Sequence, residues 1–166
     1  MDNINEQNED KEVKIHHFLA YSPMIYLIGL IAGFFADILY PVKIIPETIV
    51  LPIGFVLIIL SPMLILWAQH SSRNFRKEKK LAKIETKDFC KGPYRLTRNP
   101  TYLGLFFLVL GFGILANAIL IVLMAVISFL IVNFIFLKKE EKLLERKFGG
   151  EYLEYKKSVR RWLGKK

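Results

Sequence analysis

GPYRLTRNPTYLGLFFLVLGFGILANAILIVLMAVISFLIVNFIFLKKEE, Gly92 to Glu141, decides the fold. From Asn99 to Leu137 it holds no charged residue for 39 positions. As one helix that run would be roughly 58 Å long at about 1.5 Å per residue, about twice the hydrocarbon core of a bilayer. It must fold back on itself, and Asn117, flanked by alanines, is the place to turn. A membrane hairpin returns its two ends to one bilayer face. The polar residues before it and the glutamates after it then become neighbours, and that juxtaposition predicts a site.

The rest of the composition agrees with a membrane chain. At 166 residues there is room for one domain, and 53% of the residues are hydrophobic while 23% are charged. Both figures are high together only because the charges are segregated from long apolar runs. The net charge of +9 does not point to nucleic acid, since a basic soluble domain carries no stretches long enough to span a bilayer. The single cysteine, Cys90, excludes an intrachain disulfide. The acidic start lacks the basic region of a signal peptide, and no metal site is expected.

Residues 1–17 read as a disordered acidic tail, with His16 and His17 solvated at its junction with the first apolar run. Residues 18–166 form a single membrane domain whose motif-bearing half is 91–162. The expected fold is all-α, with about four transmembrane helices, a C-terminal helical hairpin and a cytoplasmic helical extension. The first helix is Phe18 to Tyr40, with Asp37 at its interfacial end. The second runs from about Glu47 to Trp67 and can continue through Ser71 to Lys83. Lys87 to Tyr94, with Gly92-Pro93, reads as an irregular loop. The third helix starts at Pro100 with Asn99 as its N-cap. The fourth spans about Ala118 to Leu137, runs on to Phe148 and stops at Gly149-Gly150. A last helix, Glu151 to Leu163, shows Tyr152, Tyr155, Val159 and Trp162 at helical spacing. The segments 71–98 and 138–166 hold 21 of the 24 Lys and Arg. The positive-inside rule puts both segments, both termini and the mouth of the site in the cytoplasm.

GPYRLTRNPTYLG followed at this distance by EEKLLERKFGGEYLEYKKSV resembles the C-terminal half of the isoprenylcysteine carboxyl methyltransferase family, and also the related phospholipid methyltransferases. The resemblance covers roughly the last 75 residues. It implies a membrane-embedded methyltransferase that uses S-adenosylmethionine. It further implies cofactor contacts at Tyr94, Asn99, Pro100, Tyr102 and Glu140, with backbone contacts from Thr86, Lys87, Asp88 and Phe89. Two departures stand out. Asn99 replaces the family's histidine, and Asn can hydrogen bond but cannot transfer a proton. Phe136 stands where the prenylcysteine enzymes carry an arginine for the substrate carboxylate. The acceptor implied is therefore a lipid or a small lipophilic molecule, with membrane lipids as partners.

The residues themselves suit that chemistry. Methyl transfer is an in-line displacement, so the protein chiefly aligns two partners and excludes water. Backbone donors near Asn99 to Tyr102 suit an anion or a ring nitrogen. Glu140 and Glu141 accept from ammonium or ribose hydroxyls, and Tyr94 and Tyr102 offer aromatic faces. Other roles stay open. Arg95 and Arg98 could face phospholipid, with Arg98 the alternative positioning group of the site. Glu141, Lys142 and Glu145 could form surface pairs. Tyr152 and Tyr155 could pack the last helix. Asn133, seven residues before Glu140 and so on its face, could line the pocket or bond between helices. Gly104, Gly111 and Gly113 read as close-packing positions. A scaffold or lipid-binding protein that keeps the fold without catalysis is the rival reading.

Overall fold

The computed structural model describes residues 23–43, 46–78 and 84–164. The acidic tail, His16, His17, the start of the first helix, residues 79–83 and the last two lysines lie outside the described residues. All regular elements among the described residues are helical. In chain order they are α1 (Pro23–Leu39), α2 (Glu47–Glu78), α3 (Thr86–Phe89), a 3₁₀ turn (Gly92–Arg95), α4 (Pro100–Leu115), α5 (Ile119–Ile131), a π-turn (Val132–Phe136), α6 (Leu137–Phe148) and α7 (Gly150–Ser158).

Among the described residues two helices are long and apolar enough to cross a membrane: Thr48–Phe75, and the continuous rod Ile119–Phe148. Only 17% and 22% of their apolar windows are buried within the molecule. A core helix of a soluble domain would be mostly covered, so these surfaces need an apolar surrounding. α1 and α4 are shorter apolar helices.

The chain reverses where the sequence requires. Asn117 has φ +51°, the left-handed conformation in which Asn is one of the few tolerated side chains. Its N–H donates to Ile114 O at 2.8 Å and the Ala118 N–H to Gly113 O at 2.9 Å, closing α4 onto α5. α2 lies antiparallel against α4, with Gly54 beside Leu115, Gly111 beside Leu57, and Gly104 beside Ile65 and Ser61. A Cβ on Gly104 would stand 2.6 Å from the Ile65 side chain and 3.2 Å from Ser61 O. The two helix backbones approach there closely. α1 packs antiparallel on α5, where Gly33 meets Ile121 and the Ser128 hydroxyl donates to Ile25 O at 3.4 Å. The neighbours therefore run α2, α4, α5, α1. The C-terminal ends of α2 and α5 and the N-terminal ends of α4 and α1 share one end of the bundle. The charged elements crown that end.

The second helix continues past Trp67, as its sequence allows, and runs unbroken to Glu78. Three expectations need correction. Lys87 to Tyr94 is not irregular: it holds the end of α3 and most of the 3₁₀ turn. The rod after Asn117 contains a π-turn that a uniformly apolar VNFIF does not announce. The last helix ends at Ser158, and Val159 is extended. From there Val159–Gly164 doubles back along the residues before α4: Arg98 N–H donates to Arg160 O at 3.2 Å and Gly164 N–H to Leu96 O at 2.9 Å. Those returning backbone bonds compete with another helical turn, and they prevail.

Candidate active site at the crowned end of the bundle

The site is built from the turn before α4. Gly92 has φ +56° and presses against α2, where any Cβ would overlap the Ser71 hydroxyl and stand 3.2 Å from Trp67 Nε1. Only glycine meets both demands. The 3₁₀ turn is thus fixed on a membrane helix, and Pro93 is buried beneath it. Asn99 occupies the N-cap position of α4, but its side chain makes no capping bond. Nδ2 donates instead to Arg161 O at 3.3 Å. The same carbonyl takes the Thr97 hydroxyl at 2.9 Å. The returning strap has claimed the side chain that the sequence assigns to the cap.

Tyr102, in the first turn of α4, is buried and donates its hydroxyl to Glu140 Oε2 at 2.6 Å. This bond joins the two motifs across the hairpin. Glu140 itself keeps partial exposure. Its neighbour turns the other way. Glu141 is 4% exposed and gathers three cations. Arg161 binds it with two donors, Nε to Oε1 at 3.0 Å and Nη2 to Oε2 at 2.8 Å. Arg98 Nη1 lies 3.1 Å from Oε1, and Lys156 Nζ 3.4 Å from Oε2. The hydrogen bonds to Glu141 hold the Arg161 guanidinium above its ordinary range, against the opposing pull of burial. Lys156 also pairs with Glu145 at 2.6 Å.

The π-turn decides which of the two glutamates shares a face with Asn133. In an unbroken α-helix a residue seven positions back shares a face, which would pair Asn133 with Glu140. A π-turn takes one more residue per turn, so the register slips by about one. Asn133 sides with Glu141 instead. Its Oδ1 accepts from Arg161 Nη1 at 3.4 Å and from Trp162 Nε1 at 3.2 Å. The Trp162 ring packs on Phe129 with centroids 4.5 Å apart, and Phe129 on Phe106 at 4.6 Å. Three rings thus lead from the strap into the hairpin.

A second cluster flanks the first. Phe89 stacks on Tyr155 at 5.5 Å and meets Tyr152 and Phe148 edge-on at 5.7 and 5.2 Å. Tyr155 donates its hydroxyl to Tyr94 O at 2.7 Å. Burial pushes the Tyr152 and Tyr155 hydroxyls well above their ordinary range, so both remain neutral donors. Thr86 offers its N–H and hydroxyl to Glu151 Oε2, each at 2.6 Å, which pins α3 to α7. Asp88 is buried, accepts from Glu85 N–H at 3.0 Å and lies 3.7 Å from Lys91 Nζ. Lys87 points outward to Glu85 at 2.6 Å.

The structure brings Tyr102, Glu140, Asn99 and Pro100 to one mouth. Phe89 and Tyr94 lie in the adjoining aromatic cluster; Thr86 and Asp88 share the short helix α3 with Phe89, and Lys87 is exposed. Arg98 does not face phospholipid: its side chain is 6% exposed and turns inward to Glu141. Glu141 is not in an ordinary surface pair: it is buried among Arg98, Arg161 and Lys156, and Glu145 pairs with Lys156. The residues that sequence reasoning missed are Arg161 and Trp162. Their only advance signal was the placement of Trp162 in an expected helix, which does not form at that point.

An all-helical chain with uncovered apolar helices and a charged crown at one end is a membrane protein. The model of the phospholipid methyltransferase family matches residues 49–151, and the chain belongs to that family. The matched region holds the first motif and the part of the second from Glu140 to Glu151, and stops short of the strap. An uncharacterized protein of Haemophilus influenzae is 40% identical over 62 residues, which cover 37% of this chain and 98% of that protein. No solved structure matches the chain.

Proposed function

We propose that this protein is a four-span methyltransferase that uses S-adenosylmethionine and acts on a lipophilic acceptor arriving laterally from the bilayer. The observation that carries the reading is the 2.6 Å bond from Tyr102 to Glu140, which closes the family's two motifs over one mouth. α1 and α4, about 26 and 24 Å long at about 1.5 Å per residue, complete the four crossings beside the two longer helices. The positive-inside rule orients the crowned end toward the cytoplasm.

The residues fit the cofactor. Glu140 is a carboxylate held by one hydrogen bond and partly open, so it has lone pairs left for an ammonium or ribose hydroxyls. The first turn of α4 is not capped by Asn99, so its amides suit a carboxylate or a ring nitrogen. S-adenosylmethionine supplies a methyl group already activated on a sulfonium, so no residue need generate a strong nucleophile. Pro100, Asn99 and Tyr102 align the donor side. Tyr94 and Phe89 give the aromatic wall. The Trp162–Phe129–Phe106 rings exclude water from the apolar side, where an acceptor enters. Phe136 offers no charge to a carboxylate, which favours lipids over prenylcysteine.

Calorimetric titration of S-adenosylhomocysteine into detergent-solubilised protein tests the reading. Saturable one-site binding is expected, weakened in Tyr102→Phe and Glu140→Gln. A folded wild-type protein that binds none would make the chain a scaffold that has kept the fold.

A further inference from the structure

We infer that Arg161 is a positioning residue of the cofactor site: its guanidinium clasps the π-turn from both sides and so fixes the rotation of α6 that aims Glu140 at Tyr102. This rests on the reading of Glu140 and Tyr102 as the pair that holds the cofactor.

The argument starts from the rarity of the π-turn. A wide turn inside a helix is seldom adopted unless something holds it, and VNFIF contributes only apolar groups and one amide. That amide, Asn133, bonds to Arg161 Nη1 at 3.4 Å, and Glu141 bonds to Arg161 Nε and Nη2 at 3.0 and 2.8 Å. Asn133 lies within the turn and Glu141 lies beyond it, eight residues on. In an unbroken α-helix, at about 100° per residue, those side chains would diverge by about 80°. With the wide turn they share a face, and one guanidinium reaches both. If the turn relaxed to α, everything after it would rotate by roughly one residue. Glu140 would then leave Tyr102.

The clasp separates from the docking of the strap that carries it. Trp162 holds to Asn133 and Phe129, and the backbone of 160–164 is tied to Leu96 and Arg98. The Arg161 carbonyl, which takes Thr97 and Asn99, survives any side-chain change. Removing the guanidinium should therefore loosen the turn and leave the strap in place.

The test is S-adenosylhomocysteine affinity in detergent, with Trp162 fluorescence read in a Trp67→Phe background. Arg161→Gln should weaken binding by about tenfold or more, on the scale of one charged hydrogen bond lost at Glu140, with Trp162 emission unchanged. Deleting Ile135, a lipid-exposed residue of the turn, removes the extra residue and leaves a plain α-helix of the same register. That variant should bind nearly as wild type, and Arg161→Gln added to it should cost little. Wild-type affinity in Arg161→Gln overturns the inference. So does an equal loss with and without Ile135, or a shift in Trp162 emission, which would mean the strap had undocked. Should the deletion variant fail to fold, Arg161→Lys decides: its ammonium keeps the charge beside Glu141 but cannot bridge to Asn133 as the planar fork does, so it must weaken binding as Arg161→Gln does, with Trp162 still held by Asn133. A folded wild type that binds nothing removes the site reading itself, whereas an unaffected Arg161→Gln removes only the clasp.

Discussion

Glu140 and Glu141 are adjacent in the chain and opposite in environment: one accepts a phenol at the mouth, the other neutralises a buried group of cations. A single α-helical step of about 100° separates them. The two substitutions should therefore fail in different ways.

Glu140→Gln should weaken S-adenosylhomocysteine binding by roughly 10- to 150-fold, the worth of a hydrogen bond to a charged group, with little change in thermal stability. Glu141→Gln should chiefly lower thermal stability, and it should weaken binding only as far as opening that end of the Arg161 clasp does. Leaving Arg98 and Arg161 without their carboxylate costs about 3 kcal/mol, the low end for breaking a buried pair because Arg161 and Lys156 keep some solvent contact. Calorimetry and thermal denaturation on the same preparations separate the two. A cofactor defect in Glu141→Gln with unchanged melting would contradict the assignment.

Asn117 holds the hairpin in a left-handed conformation. Asn117→Gly should be neutral or slightly stabilising, whereas Asn117→Val should lose about 1–2 kcal/mol, the cost of a Cβ-branched residue in that region. Melting temperatures in one detergent would show the ordering, and equal melting for both variants would deny the turn its strain.

Gly104 marks a close approach of α4 to α2. Gly104→Leu should cost about 1–3 kcal/mol by overpacking. Because the shifted helix carries Tyr102, it should also weaken cofactor binding. Wild-type binding in the variant would show that α2 and the site are uncoupled.

The proposed four-span topology would put Arg73 and Lys157, both exposed, on one side of the membrane. In a Cys90→Ser background, cysteines introduced at either position should react with a membrane-impermeant maleimide from the same face of oriented vesicles. Labelling from opposite faces would leave an odd number of crossings between them.

Purified protein given labelled S-adenosylmethionine should transfer little methyl to a farnesylcysteine analogue, since Phe136 replaces a carboxylate-binding cation. Turnover there above that with phospholipid vesicles would reverse the substrate inference.

The membrane core was readable because its rules are local. An uncharged run of 39 residues with one Asn between alanines permits one reversal, and Pro100 can only open a helix. The mouth was partly readable: the resemblance paired Tyr102 with Glu140 on the correct ends of the hairpin. What escaped was phase and return. Counting back from Glu140 to Asn133 assumed α geometry throughout, and one wide turn moved Asn133 to Glu141. Arg161 reaches partners at 97, 99, 133 and 141, separations that leave no periodic trace. The tyrosine spacing after Gly150 suggested a longer helix because nothing in RRWLG declares that its backbone will pair with Leu96 and Arg98.

The strap also imposes an order in time. Residues 23–148 emerge from the ribosome before Arg161 does, so the bundle can be inserted and packed while Glu141 still lacks its principal counter-charge. Until residues 159–164 arrive, Arg98 and Glu141 stand at the crowned end without the guanidinium that bridges the π-turn, and Asn99 lacks the carbonyl that takes its amide. Packing of the bundle and docking of the strap are thus separable steps. A nascent chain held back at Ser158 would have the membrane bundle without the finished mouth.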